Sequence, residues 1–419
     1  MGAKMYKKVL ACRICGNINL EPILDLGMQM LTGVFPNKVD PTAATTGPLV
    51  LVKCISKFDD VESCGLVQLQ HSYDLKEMYG LNYGYRSGLN KSMVDHLRSK
   101  VERIKSLVTL FPKDLVIDIG SNDGTTLAAY PEIGLNLVGV DPTGVKFAEY
   151  YPKHIKLIPD FFSAKLIEGQ FPGTKAKVVT SFSMFYDLED PIAFMKYVHR
   201  ILADDGIWVF EQSYLPTMIQ TNSYDTVCHE HLEFYCVKQI QYMVEKVGFQ
   251  IIDVEFNDIN GGSFSVTVRK APIGSTCLPQ VQEILQSETD LGFDSLKPFT
   301  DFAIRTKEAK ISLLAFLANA KKENKKVVAL GASTKGNVLL QYCELTNKDI
   351  AYIGEVNEEK FNCYAPGTWI PIIPEKELLD LKPDYLIVLP WHFKSFFLNN
   401  PKFSNFSLVF PLPYLEVVH

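Results

Sequence analysis

"VIDIGSNDGTTL", residues 116–127, decides how the chain is read. Its first residues form a short apolar run, as expected of a buried strand. Gly120 and Gly124 then make a turn, and Thr125 opens a helix. The two glycines let the backbone approach a ligand closely, and the helix N-terminus favours polar or anionic groups. The pattern is D-x-G-x-x-x-G and not G-x-G-x-x-G, so it disfavours a dinucleotide. About 20 residues on, "LVGVDP" ends a second strand in Asp141 and Pro142, and an acid there can accept hydrogen bonds from ribose hydroxyls.

A strand-end acid paired with this turn resembles the S-adenosylmethionine site of Rossmann-like methyltransferases. That resemblance makes Asp118, Gly120, Ser121, Asn122, Asp141 and Pro142 candidate cofactor contacts. "IPDFF" (158–162) and "TSFSMFYDLED" (180–190) stand where such enzymes place adenine contacts and the residues beneath the sulfonium. They add Asp160, Phe161 and Ser183.

Outward from this core, "LVIDIG", "LNLVGVD", "KVVTSFSMF" and "GIWVFEQ" read as strands with helical stretches between them, the alternation of a parallel α/β sheet. "SMVDHLRSKVERIKSLV" before them has apolar residues at helical spacing. A second α/β series begins at "KKVVALGAS" and runs through "IAYIGEVN" and "DYLIVLPW". The expected fold class is α/β. A small zinc-binding domain spans 1–72, a Rossmann-like methyltransferase domain 73–275, and a second Rossmann-like domain 276–419.

The 419 residues carry a net charge of −6, which argues against nucleic acid as a partner. No apolar run reaches the length of a membrane span, so no membrane partner is expected. A cytoplasmic location is the default expectation. Nine cysteines, an odd number, do not suggest a disulfide framework.

Four of them, Cys12 and Cys15 in "CRIC" and Cys54 and Cys64 further on, fall in one small segment. Four thiolates can hold one zinc tetrahedrally, and such a site is structural because it keeps no open position.

"YDTVCHEHLEFY", residues 224–235, sets His229 and His231 around Glu230. It is not the H-E-x-x-H of zinc proteases, because Glu233 stands where the second histidine would have to be. An acid/base site with a neighbouring carboxylate stays open. Tyr224 either orients the pair or packs. Asn260 and Gly261 of "NDINGGSFSV" form a tight turn or approach a ligand. In "GASTKGN" (331–337), Ser333, Lys335 and Asn337 follow a strand and open a helix, where a pyrophosphate can be cradled.

Together these pieces, with "CGLVQL", "YGYRSGLN" and "APGTWIPI", resemble the sugar C-methyltransferases that methylate a nucleotide-linked 4-keto-deoxyhexose. The similarity runs through nearly the whole chain. It implies a zinc-bearing domain, an S-adenosylmethionine domain and a C-terminal domain that helps hold the nucleotide sugar. It implies that His231 is the base with Glu230 beside it, and that Tyr83 or Tyr85 lies near the sugar. The chain departs from the antibiotic-pathway members at Cys228, where they tend to have Tyr. It also departs near Ser183 and Asp187, where they have Asn and His.

The chemistry is consistent with this. A ketone acidifies the neighbouring C–H, a near-neutral base can form the enolate, and in-line attack on the sulfonium methyl is mainly positioning. His229 or a Tyr hydroxyl is expected to donate to the enolate oxygen. The alternatives are an O- or N-methyltransferase with the same cofactor, or a non-catalytic zinc-containing nucleotide-sugar binding protein.

Overall fold

The computed structural model describes residues 6–42, 44–56, 63–78 and 86–419. Seven strands form the central sheet: β1 (Leu115–Ile119), β2 (Asn136–Val140), β3 (Ile155–Ile158), β4 (Ala176–Phe182), β5 (Leu202–Ser213), β6 (Phe249–Asn257) and β7 (Ser263–Lys270). Their spatial order is β3-β2-β1-β4-β5-β7-β6. The pairings are parallel except those of β7, which runs antiparallel to both β5 and β6. "LVIDI" is buried along its whole length, as a strand covered on both faces must be. The order reverses between β1 and β4, which opens a crevice beyond their carboxyl ends. The loops after β1 and β4 are the two stretches singled out in the sequence.

Helix Lys91–Leu107 covers one face of this sheet. Asn90 caps it by accepting from the Ser92 backbone, and Leu97, Val101 and Ile104 form its buried stripe.

The C-terminal sheet has six strands, in the order Ile372–Pro374, Ile353–Glu355, Val327–Leu330, Tyr385–Val388, Ser407–Phe410, Glu416–Val418. All pairings are parallel except the last. Its reversal lies beside Val327–Leu330, so "GASTKGN" sits at a second crevice. Helices Pro279–Asp290 and Lys297–Lys322 connect the two sheets. Among the described residues no helix is long and apolar enough to cross a membrane.

The small N-terminal sheet is antiparallel: Leu20–Met30, Thr46–Cys54, Val67–Leu69, and then Glu233–Phe234 from the tail of the H-E-H stretch. This sheet is wedged between its neighbours. Leu24, Leu26, Leu49 and Leu51 join the C-terminal core, while Cys12, Cys54, Cys64 and Leu66 join the central one.

Candidate functional site

A cavity of roughly 250 Å³ opens at the β1/β4 crevice. Asp118, Gly120, Ser121, Asn122, Asp141, Pro142, Phe161 and Ser183 line it. Gly120 has φ +73°, a conformation that favours glycine, and a Cβ there would press on the Met184 side chain at 3.0 Å. Asp141 does more than face the cavity. One carboxylate oxygen accepts from the Asn122 backbone at 2.7 Å, and the other accepts from the Thr143 backbone at 2.7 Å and its hydroxyl at 2.6 Å. The acid thus fixes the loop that it shares a wall with. Burial pushes Asp118 up to about 7, although the Thr180 hydroxyl donates to it at 2.6 Å.

Asp160 is a correction. It is exposed, does not line the cavity, and its carboxylate accepts from the Phe161 backbone. Phe161 itself is half-exposed at the rim, a surface suited to stacking on a planar base. Sequence reasoning passed over Met93 and Leu97 of the covering helix; Asp187, Leu188 and Glu189, from the 180–190 stretch, also line the cavity.

The four cysteines converge. Their sulfurs all lie within 4.8 Å of one another, with Cys12–Cys64 at 3.4 Å and Cys15–Cys54 at 3.5 Å. A tetrahedral zinc with Zn–S of about 2.3 Å spaces its sulfurs about 3.8 Å apart, so the set fits one zinc. The Asn17 amide donates toward Cys54 Sγ at 3.6 Å, a contact typical of a thiolate's surroundings.

The H-E-H stretch separates its three members. His231 Nδ1 lies 2.9 Å from the Thr226 carbonyl. A carbonyl only accepts, so Nδ1 carries the proton and Nε2 is left with its lone pair. Nε2 takes no hydrogen bond among the described residues. The His231 ring packs edge-on to Tyr186 at 4.4 Å, on the short helix Phe185–Asp187, and Asp187 from that helix lines the cofactor cavity. The base candidate and the cavity therefore share one wall. By accessible surface His231 is only partly buried, yet burial is still the main cause that pushes it down to about 4, with the Lys335 charge second. That is lower than the near-neutral titration expected of the base.

Glu230 turns away from His231. Its carboxylate lies over Gly33, where a Cβ would come within 2.4 Å, and the Thr32 hydroxyl approaches it at 3.4 Å. Burial pushes its carboxyl up. His229 is fully buried against Tyr73, with ring centroids 4.6 Å apart and edge-on, and burial pushes it down to about 4. The Gly47 and Gln29 backbones lie near enough to favour its charged form slightly, but neither ring nitrogen makes a well-formed hydrogen bond. It faces the N-terminal sheet, so it is not placed to donate to an enolate. Tyr224 is core, 1% exposed and edge-on to Tyr342. Tyr83 and Tyr85 lie outside the described residues.

At the second crevice Lys335 Nζ donates to the Asn260 carbonyl at 2.6 Å. Burial lowers its pKa, opposed by Asp225. Asp225 accepts from the Trp391 indole at 2.8 Å. Gly261 abuts His392. Ser333 caps its helix by accepting from the Gly336 backbone. Asn337 is fully buried, and its amide donates to the Thr32 carbonyl at 2.8 Å, which ties the N-terminal and C-terminal domains together. Lys335 thus joins Asn260 and is close enough to His231 to affect its titration, while Gly261 abuts His392.

The chain matches known families in three successive segments. Residues 12–79 match the family described as "Putative zinc binding domain", 93–254 the "Methyltransferase domain" and 258–413 the "C-methyltransferase C-terminal domain". The C-methyltransferase NovU of Streptomyces niveus is 27% identical over 395 residues, covering 93% of this chain and 92% of its own. Among solved structures, the CcbJ methyltransferase of Streptomyces caelestis aligns with 13% identity over 42% of this chain and 90% of its own, at a TM-score of 0.33. Magnesium protoporphyrin IX methyltransferase of Synechocystis PCC 6803 aligns with 14% identity over 43% and 79%, at 0.31. The zinc-fitting cysteine set, the methyltransferase domain and the C-terminal domain follow one another in the order of these matches, and along nearly its whole length the chain is similar to a C-methyltransferase.

Proposed function

We propose that this enzyme methylates a carbon next to the ketone of a nucleotide-linked 4-keto-deoxy sugar, in the cytoplasm. The observation that carries the reading is His231. Its Nε2 is freed as a base by the Thr226 carbonyl, and it shares the Phe185–Asp187 wall with the cofactor cavity. S-adenosylmethionine, when bound, supplies an electrophilic methyl group. His231 Nε2 removes the proton beside the ketone. Lys335, close enough to lower the His231 pKa, is the nearby cation for a phosphate or for the developing enolate oxygen. A base held near 4 has little driving force. An anionic substrate beside Lys335 would cancel that lysine's charge and raise His231, although the larger cause, burial, remains.

The test is mass spectrometry of nucleotide 4-keto-deoxy sugars incubated with enzyme and S-adenosylmethionine, with fragmentation to locate the methyl group. A parallel run in heavy water reads C–H exchange. His231→Asn keeps hydrogen bonding but not the basic nitrogen. Its turnover is expected to fall by about 10²–10⁴, with cofactor affinity little changed. Methyl found on oxygen or nitrogen, or a fully active His231→Asn, defeats the proposal.

A further inference from the structure

Arg13 sits between two of the zinc-fitting cysteines, yet its side chain leaves their loop. Its side chain is 3% exposed, its two terminal nitrogens donate to the 69–72 segment, and its Nε makes no hydrogen bond but lies beside two carboxylates. The guanidinium donates to the Leu69 carbonyl at 2.8 Å and to the Ser72 hydroxyl at 2.9 Å. Its Nε stands 3.5 Å from Glu233 and 3.7 Å from Glu189. Ser72 in turn donates to Glu189 at 2.9 Å.

These contacts lead to two places. Glu233 is two residues after His231, in the strand that pairs with Val67–Leu69. The Leu69 backbone donates to Leu232 at 2.8 Å, and the Leu232 backbone donates to Tyr186, on which the His231 ring rests. Glu189 and Leu188 line the cofactor cavity. Glu233 is wholly buried, faces the Leu188 backbone, and also feels Asp187 and Glu189. Burial pushes its carboxyl well up, Arg13 opposes this, and neither of its oxygens makes a well-formed hydrogen bond, so the guanidinium 3.5 Å away is the charge that favours its ionised form.

We infer that Arg13 is a positioning residue, through which the zinc loop sets both the His231 segment and the rim of the cofactor cavity. The inference rests on the reading of His231 as the base. It makes the cysteine cluster part of the active-site architecture and not only a local staple. A lysine would keep the charge but lose the planar fork that reaches three segments at once.

The test uses zinc-loaded protein, with zinc per chain measured for every variant. Arg13→Met is expected to retain zinc, weaken S-adenosylhomocysteine binding about 5-fold by calorimetry, and lower kcat about 100-fold. Arg13→Lys should fall between. The double variant Arg13→Met/Glu233→Gln removes both partners of the buried pair and is expected to recover to within about 3-fold of wild type in both readouts. Recovery is the outcome that a merely local packing role does not give. The inference is overturned if zinc-loaded Arg13→Met behaves as wild type, or if the double variant is no better than the single. Should Arg13→Met lose zinc, Glu233→Gln decides, because it leaves the zinc loop untouched. That variant must lower kcat with zinc intact, and a silent Glu233→Gln overturns the inference. If wild type methylates no 4-keto sugar, the proposed function has failed, but the S-adenosylhomocysteine affinities still judge Arg13.

Discussion

His229 and His231 stand two residues apart and have become different chemical objects. His231 keeps an unspent lone pair beside the cavity wall, and His229 is sealed against Tyr73. The sealed one has a cost that pH can read. An unfolded histidine titrates near 6.5, whereas His229 in place is held at about 4 by burial. Between those values the unfolded chain takes up a proton that the folded chain refuses. His229 therefore leaves stability intact above about pH 6.5 and removes it as pH falls toward about 4, by up to about 1.4 kcal/mol per unit. Urea unfolding between about pH 7 and pH 4.5 should show His229→Gln with the shallower loss. Equal slopes would mean that other groups carry the acid sensitivity. The sequence showed the H-E-H motif but not this division. Which ring meets a carbonyl and which meets Tyr73 depends on residues up to 156 positions away, a separation read from Tyr73 to His229. Asn337 and the choice between orienting and packing at Tyr224 were not legible for the same reason: polar and aromatic residues inside a motif look alike until their buried partners are known.

At the scale of elements, the loop after β1 and the end of β2 form one unit. Asp141 holds Asn122, which itself takes φ +49°, and Thr143 with three hydrogen bonds. Asp141→Ala therefore removes a ligand-facing acid and also unpins the loop. It is expected to weaken S-adenosylmethionine or S-adenosylhomocysteine binding by about 1–3 kcal/mol, read by calorimetry. Unchanged affinity would remove Asp141 from the site. This unit was legible in sequence because its backbone demands glycines and its strand demands an unbroken apolar run. The strand Glu233–Phe234 was not legible. It is two residues long and takes its pairing from Val67–Leu69, which no local pattern announces.

At the scale of the whole molecule, the N-terminal sheet is held by both larger domains and by the cysteine cluster at its edge. Stripping zinc should therefore do more than fray a terminus. Chelation, or Cys54→Ser, is expected to lower Tm by at least about 5 °C and to reduce methyl transfer together with it. Elemental analysis on the same samples tests the link, and zinc-free protein with unchanged melting would break it. The three-domain order was readable from the cysteine spacing and the two strand series. How the domains interlock was not, because each contact joins residues far apart in the chain. The borrowed strand has one more consequence, for synthesis. A ribosome working at about 5–20 residues per second finishes Leu69 roughly 10–30 s before Phe234. For that interval the edge of Val67–Leu69 that Glu233–Phe234 will occupy has no partner strand. Nascent chains stalled between those two points should be the ones that chaperones hold longest and that aggregate most readily when chaperones are scarce.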